Sequence, residues 1–263
     1  MSDSHDTPAS NPWWQGFFDD DYAAYGLSDF DADSVRQHVD FLVDVLELED
    51  GLTLLDQCCG VGRLSIPLAD RGVNVIGMDI TESYVEVARN RAGERNLPCT
   101  FHHGDAREFV ASEPCDAAIN WFTSFGYEED DRQNIKMLER VFESLKPGGR
   151  FALDYLNTAR VMAEFRQWYI DRPESEELSG LIVLHETKTD YARGMMESDW
   201  TFLYPDGRRV VKDLAVRMYM PHELVAMLRQ CGFIDIELFG SVEKEPMDRL
   251  SRRCIVVSRK PGG

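Results

Sequence analysis

The sequence predicts an α/β protein: a mostly parallel, seven-stranded sheet with helices on both faces and an antiparallel β insertion after the fifth strand. Three observations carry this reading. Apolar strand-like runs alternate with segments of helical period over residues 52–156. A glycine-containing turn follows the first of those strands. Beyond residue 156 several extended segments follow one another, two of them joined by Pro205-Asp206-Gly207. With 263 residues, 43% of them hydrophobic, the chain can bury one large core.

The opening residues 1–12 are polar and hold two prolines, which predicts a disordered leader; residues 13–263 are read as a single domain. Trp13, Trp14, Phe17, Phe18, Tyr22 and Tyr25 then crowd a short acidic segment, 13–32, more densely than a solvated tail would carry. They serve either as a lid over a ligand or as an apolar staple for the first helix. That helix, 33–48, spaces Val35, Val39, Leu42, Val43 and Leu46 three and four residues apart. Strands follow at 52–57, 73–79, 99–105 and 116–122, with helices at 63–70 and 82–94. Helix 131–145 carries Ile135, Leu138, Val141, Phe142 and Leu145 on one face and stops at Lys146-Pro147-Gly148-Gly149, before a strand at 150–156. The insertion, about 158–220, contains extended segments at 181–190, 196–204 and 208–219. Pro221 opens a last helix, Gly232 closes it, and strands at 233–240 and 253–260 complete the sheet.

Composition narrows the function. Lys plus Arg total 28 against 47 Asp plus Glu, a formal charge of −19 that repels phosphate backbones and anionic membranes. Nucleic acid and membrane are therefore not expected partners. The six cysteines form no CxxC pair and no zinc spacing, so no metal is expected. No signal peptide and no apolar run of bilayer length is present, which points to the cytoplasm.

The densest chemical signal is the stretch from Leu55 to Gly62, a strand running into a turn and then a helix. Gly60 and Gly62 lack a Cβ, so a nucleoside or amino-acid group can approach the main chain closely. Asp79 ends the next strand, where a carboxylate can accept both hydroxyls of a ribose. Together these indicate a nucleoside cofactor. A dinucleotide is disfavoured because Ser65 stands where its fingerprint needs a third glycine.

Asp56-Gln57-Cys58-Cys59-Gly60-Val61-Gly62 resembles the D-x-G-x-G-x-G signature of class I S-adenosylmethionine-dependent methyltransferases, whose fold is Rossmann-like. Gly77-Met78-Asp79-Ile80 resembles their second motif, Gly104-Asp105-Ala106 the third, and the similarity runs on through Asn120 and Leu145-Lys146-Pro147-Gly148-Gly149. The later segments resemble a bacterial subgroup acting on small molecules. The resemblance implies S-adenosyl-L-methionine as cofactor, with Gly60 and Gly62 facing its methionine part, Asp79 its ribose and Ile80 one adenine face. It also implies that Asp105 accepts from the adenine amino group, that the Ala106 amide reaches a ring nitrogen, and that the Asn120 backbone holds the ammonium. Cys58 replaces the first glycine of the signature, so the backbone there must tolerate a side chain. Each acid has a plainer reading beside this one: Asp56 as a turn cap, Asp79 as a helix cap, Asp105 as a loop acid.

The expected reaction is methyl transfer to an amine or hydroxyl of a small metabolite or natural product; the alternative is a protein that binds S-adenosylmethionine without transferring its methyl. The Pro-Pro of nucleic-acid amino methyltransferases is missing from Asn120-Trp121-Phe122-Thr123. Trp14 and Tyr22 are read as cofactor contacts, and His185, Tyr25 and Tyr155 as the candidate catalytic groups. His185 has a pKa suited to a base, although a lone strand histidine is more often structural. Tyr155 follows the fifth strand with Asn157, where open α/β sheets place ligands. Arg253 fits either an acceptor carboxylate or an internal ion pair.

Overall fold

The computed structural model describes residues 12–27 and 31–263, so the leader expected at 1–12 lies, Pro12 apart, outside the described residues. In chain order the elements begin with α1 (Trp14–Phe17), α2 (Asp20–Tyr22), a π-helical turn over Ala23–Leu27, and α3 (Ala32–Val45). Next come β1 (Thr53–Gln57), α4 (Ser65–Ala69), β2 (Asn74–Asp79), α5 (Glu82–Glu94), β3 (Cys99–His103), β4 (Cys115–Asn120), α6 (Asp131–Ser144) and β5 (Leu145–Leu156). Then follow α7 (Thr158–Ala163), β6 (Trp168–Asp171), β7 (Ile182–Asp190), β8 (Met195–Leu203), β9 (Arg209–Arg217), α8 (Pro221–Gln230), β10 (Ile234–Phe239) and β11 (Arg253–Arg259).

Seven strands make the main sheet in the order β10-β11-β5-β4-β1-β2-β3. β3, β2, β1, β4 and β5 run parallel, whereas β11 runs antiparallel to both β5 and β10. β1 lies between β2 and β4, so the chain departs from it in opposite directions and leaves a crevice beyond the carboxyl ends of these strands. Strand alternation divides the core between the two faces: Leu54 joins Leu42 of α3, Leu64 and Leu68 of α4, Leu64 being the residue just before that helix, while Leu55 joins Leu138 and Val141 of α6. β1, β4 and the second half of β5 are buried on both faces, their polar residues Asp56, Gln57, Asn120 and Asp154 included.

Helix ends follow their caps. The Asp31 carboxylate accepts from the Asp33 and Ser34 amides at the start of α3, and Asp130 accepts from Arg132 at the start of α6. β5 begins at Leu145, five residues before the expected 150, because Lys146 to Gly149 form a bulge: Cys115 pairs with Leu145, yet Ala117 pairs with Arg150. Gly148 takes φ +84° there.

The insertion is a four-stranded antiparallel sheet, β6-β7-β8-β9. β6, a short edge strand, was not foreseen; its four residues show no alternation of buried and exposed positions that a sequence pattern could reveal. One face of this sheet receives the N-terminal segment. Phe17 meets Trp200 edge-on at 5.3 Å, and Tyr25 meets Phe202 at 5.5 Å. Lys212 of β9, only 5% exposed, pairs with Asp19, and Tyr204 donates to Asp21 at 2.6 Å. Among the described residues no helix is long and apolar enough to cross a membrane.

Candidate cofactor and acceptor site

A cavity opens where the crevice was expected. Its floor comes from the strand ends: Asp56 and Cys58 after β1, Asp79 and Ile80 after β2, and Trp121 and Phe122 after β4. Its roof comes from the N-terminal segment through Trp14, Phe18, Tyr22, Gly26 and Leu27. That segment is tied to the main sheet as well as to the insertion. The Trp14 indole donates to Glu128 at 3.3 Å, Tyr84 donates to the Asp19 carbonyl at 2.8 Å, and Phe18 stacks on Tyr127.

The turn after β1 is held from beneath by a buried polar lattice. The Asp56 carboxylate accepts from Ser65 Oγ at 2.5 Å, so the serine that stands in place of a third glycine anchors the start of α4. Burial is the main cause that raises the Asp56 pKa to about 7; the Ser65 hydrogen bond opposes it and the Asp79 charge adds to it. Gln57 donates to the carbonyls of Ala106 and Met137 and accepts from Asn120 Nδ2 at 3.1 Å. Cys58 adopts φ +66°, a left-handed conformation that strains a residue with a Cβ. Cys58 thus occupies a backbone conformation that glycine, the residue of the signature, adopts without strain. Gly60 takes φ +54°, and a Cβ there would project into open space, which leaves room for a ligand against the main chain.

Asp79 is buried, with Oδ2 accepting the Gly60 amide and Oδ1 the Thr81 amide, each at 2.9 Å. Burial raises its pKa, while these backbone hydrogen bonds pull the other way. Hydrogen bonds from Thr81, Gly60 and Ile80 thus fix the carboxylate at the end of β2, facing the cavity. At the far end, Asp105 is gripped by Arg107, whose Nε lies 3.0 Å from both carboxylate oxygens and whose Nη1 reaches Glu128 at 2.7 Å. Burial works against the Asp105 charge, but the Arg107 hydrogen bonds outweigh it and hold the carboxyl below its ordinary range. Ile80, Ala106 and Met137 supply apolar walls for a flat ring.

Opposite this end sits Arg63, half-buried, with its guanidinium 3.8 Å above the Phe122 ring. Burial pushes its pKa down to about 9, against the charges of Tyr22 and Asp154. Phe122 and Thr123 are both left-handed, at φ +56° and +61°. Asp154, fully buried, accepts the Phe122 amide at 3.0 Å; Arg253 donates to Asp154 at 2.7 Å and to Thr123 Oγ1 at 2.6 Å. Arg253 thus makes an internal ion pair that holds two strained residues in place.

Of the residues singled out from the sequence, Trp14, Tyr22, Asp56, Cys58, Gly60, Asp79, Ile80, Asp105 and Ala106 line the cavity. Gly62 lies behind the turn at φ +79°, where a Cβ would press on Ala88 and Ile66. The Asn120 side chain is buried, and its Oδ1 has no hydrogen-bond partner among the described residues. The three candidate catalytic groups are not part of the lining. Tyr155 is fully buried in the core and donates to the Arg217 carbonyl. Asn157 caps α7 and donates to the carbonyls of Asp248 and Ser251. His185 lies in the insertion sheet, stacked on Tyr169 at 3.9 Å and 3.5 Å from the Tyr25 hydroxyl, which donates to Asp171 at 2.5 Å. Burial lowers the His185 pKa to about 4, partly offset by Asp171. Sequence reasoning passed over Arg63, Arg107, Tyr127 and Glu128, which belong to no periodic pattern. Arg63 and Arg107 do stand directly beside recognised motifs.

A mostly parallel sheet with one reversed strand, a glycine turn after β1, an acid ending β2 and an acid after β3 define the class I S-adenosylmethionine-dependent methyltransferase fold. The donor set fits that cofactor, S-adenosylmethionine, in the open cradle at Gly60 and the buried carboxylate of Asp79. Residues 54–149 match the family model described as a methyltransferase domain. A relative from Talaromyces variabilis, an S-adenosyl-L-methionine-dependent Diels-Alderase, is 37% identical over 124 residues. The match spans 46% of this chain and 41% of that protein. The CcbJ methyltransferase of Streptomyces caelestis has a similar structure, with TM-score 0.76 at 20% identity, covering 91% of this chain and 96% of that one. CalS10, an amino pentose methyltransferase from Micromonospora echinaspora, superposes with TM-score 0.67 at 20% identity, covering 93% and 98%.

Proposed function

We propose that the protein transfers the methyl group of S-adenosylmethionine to an amine or hydroxyl of a small metabolite or natural product, with an amine preferred. The observation that carries this reading is the roof: residues 14–27 close the cavity from above and are fixed to both sheets, which leaves room for a compact acceptor and none for a duplex. The net charge of −19 points the same way. When bound, the cofactor supplies an electrophilic methyl carbon to a nucleophile placed in line with it.

The chain's own contribution is position and exclusion of water. Asp79, fixed by the Gly60 amide, orients the nucleoside, Trp14, Phe18 and Tyr22 shield the centre, and the Phe122 turn sets another wall. His185, Tyr25 and Tyr155 stand outside the lining, and a neutral amine, attacking with its own lone pair, needs none of them. The amino pentose substrate class named for CalS10 supports that preference. Incubation with labelled S-adenosylmethionine and a panel of amino sugars, amino-terminal peptides and phenols tests the reading. Release of S-adenosylhomocysteine with an amine is expected; no turnover above background with any panel member would sink it.

A second reading, cofactor binding without methyl transfer, has one observation behind it: the Diels-Alderase relative is named as S-adenosyl-L-methionine-dependent. Tight calorimetric binding alongside absent turnover would favour it.

A further inference from the structure

We propose that β6 is a self-pairing edge: two copies of the chain join their β6 strands antiparallel about a two-fold axis at Ile170, which merges their insertion sheets into one continuous sheet. The proposal does not depend on the reaction assigned to the cavity.

β6 ends its sheet and pairs with β7 alone. The Thr187 amide donates to the Gln167 carbonyl and Trp168 lies opposite Glu186, so the odd-numbered residues of β6 make its hydrogen bonds to β7. The N–H and C=O groups of Trp168 and Ile170 therefore point to the open edge. Two other edges are blunted: β10 carries Asp235, Glu237 and a register shift, and α1 lies against β9. β6 has no such protection. Trp168, Tyr169 and Ile170 run consecutively with 50%, 44% and 54% of their surface exposed, and Met162 and Phe165 just before them are exposed as well. An apolar edge of this kind is a template for another strand.

Charge and register select the chain's own copy as that strand. Pairing through the free groups of Trp168 and Ile170 sets even-numbered residues opposite even-numbered ones, so the two-fold axis falls on one of the four residues of β6. On Trp168, half of the pairing would fall on residues 164–167, outside the strand and directly after α7. On Tyr169, Arg166 would oppose Arg172; on Asp171, that carboxylate would oppose its own copy, and like charges placed so are destabilising. On Ile170 every pair is favourable. Ile170 meets Ile170, Trp168 meets the Arg172 guanidinium of the second copy, and Arg166 meets Glu174. The seam would also brace the platform beneath the roof, since Tyr169 stacks on His185 and Asp171 accepts from Tyr25.

Sedimentation of the full chain across the micromolar range tests the proposal, and a reversible dimer is expected. Ile170→Lys sets two like charges face to face on the axis and should raise the dissociation constant by about tenfold or more. Its melting temperature at low concentration should match the wild type, because the side chain it replaces is exposed. A second measurement reads the register. Ile170→Cys brings two thiols across a hydrogen-bonded pair whose Cα atoms lie about 5.5 Å apart, within disulfide reach. Trp168→Cys leaves its two thiols four residues out of step, about 13 Å apart. Mild oxidation should therefore link the Ile170→Cys chains well above the wild-type level and leave the Trp168→Cys chains at that level. A wild type that stays monomeric, a dimer indifferent to Ile170→Lys, or a crosslink at position 168 equal to or faster than that at 170 overturns the proposal.

Discussion

Asp79 accepts the amide hydrogen of Gly60 at 2.9 Å, so the acid that ends β2 and the turn that follows β1 form one rigid unit across neighbouring strands. The same carboxylate also receives the Thr81 amide, which fixes both of its oxygens before any ligand arrives. Asp79→Asn keeps the volume but turns one acceptor into a donor facing backbone N–H groups. Affinity for S-adenosylhomocysteine should fall by tenfold or more, about 1.4 kcal/mol or above, in calorimetry. An unchanged dissociation constant would remove Asp79 from the ribose site.

Asp56 should make stability depend on pH. Its folded pKa, about 7, lies above the unfolded value, so the native state holds a proton that the unfolded chain gives up. The sign follows directly: this contribution is full below the unfolded pKa near 3.9 and is lost as pH rises toward 7. Asp56→Asn removes the titration while keeping an acceptor for Ser65. The melting temperature of the variant relative to wild type should therefore climb between pH 5 and pH 7.5; a constant difference would refute the assignment.

His185 acts in the opposite direction. Its folded pKa, about 4, lies below the unfolded value near 6.5, so its contribution is complete above pH 6.5 and disappears as pH falls toward 4. His185→Gln should flatten the acid limb of the stability profile. Because the ring is stacked against Tyr169 away from the cavity, turnover at pH 8 should remain within about threefold of wild type. A loss of a hundredfold or more would return His185 to catalysis.

Cys58 offers a test of backbone strain. At φ +66° glycine is free of the cost of about 1–2 kcal/mol that a side chain meets in this region. Cys58→Gly should consequently cost less than about 1 kcal/mol despite the lost thiol packing, whereas β-branched Cys58→Val should cost at least about 2 kcal/mol. Urea unfolding of both variants measures the difference, and the reverse order would show that packing outweighs conformation here.

Lys212 and Asp19 join the roof to the insertion. Lys212→Met removes the buried charge and keeps the apolar stem, leaving Asp19, whose side chain is 47% exposed, to water. Global stability should change by under about 1 kcal/mol, while proteolysis within residues 12–27 and ligand dissociation should both accelerate severalfold. Unchanged rates would mean that the aromatic contacts alone hold the roof.

The sequence made the parallel sheet legible because short strand-like segments alternate with helices of clear apolar period, and because caps such as Asp31 and Asp130 mark helix starts. Most cavity residues were legible for the same reason, being fixed to strand ends. What escaped was set by contacts distant in sequence. Whether Tyr155 turns into the core or toward the crevice depends on the Arg217 carbonyl, 62 residues away. The left-handed pair at Phe122 and Thr123 has no local signal, since neither residue favours that conformation; it follows from Asp154 and Arg253.

The clamped position of residues 14–27 has a kinetic consequence. If a nucleoside bound beneath Trp14, Phe18 and Tyr22 exchanges by lifting those rings, each exchange costs the aromatic contacts that hold them. Were that exchange to limit turnover, salt or mutation at Asp19 and Asp21, which tie the segment to the insertion, would tune throughput without touching a reacting atom.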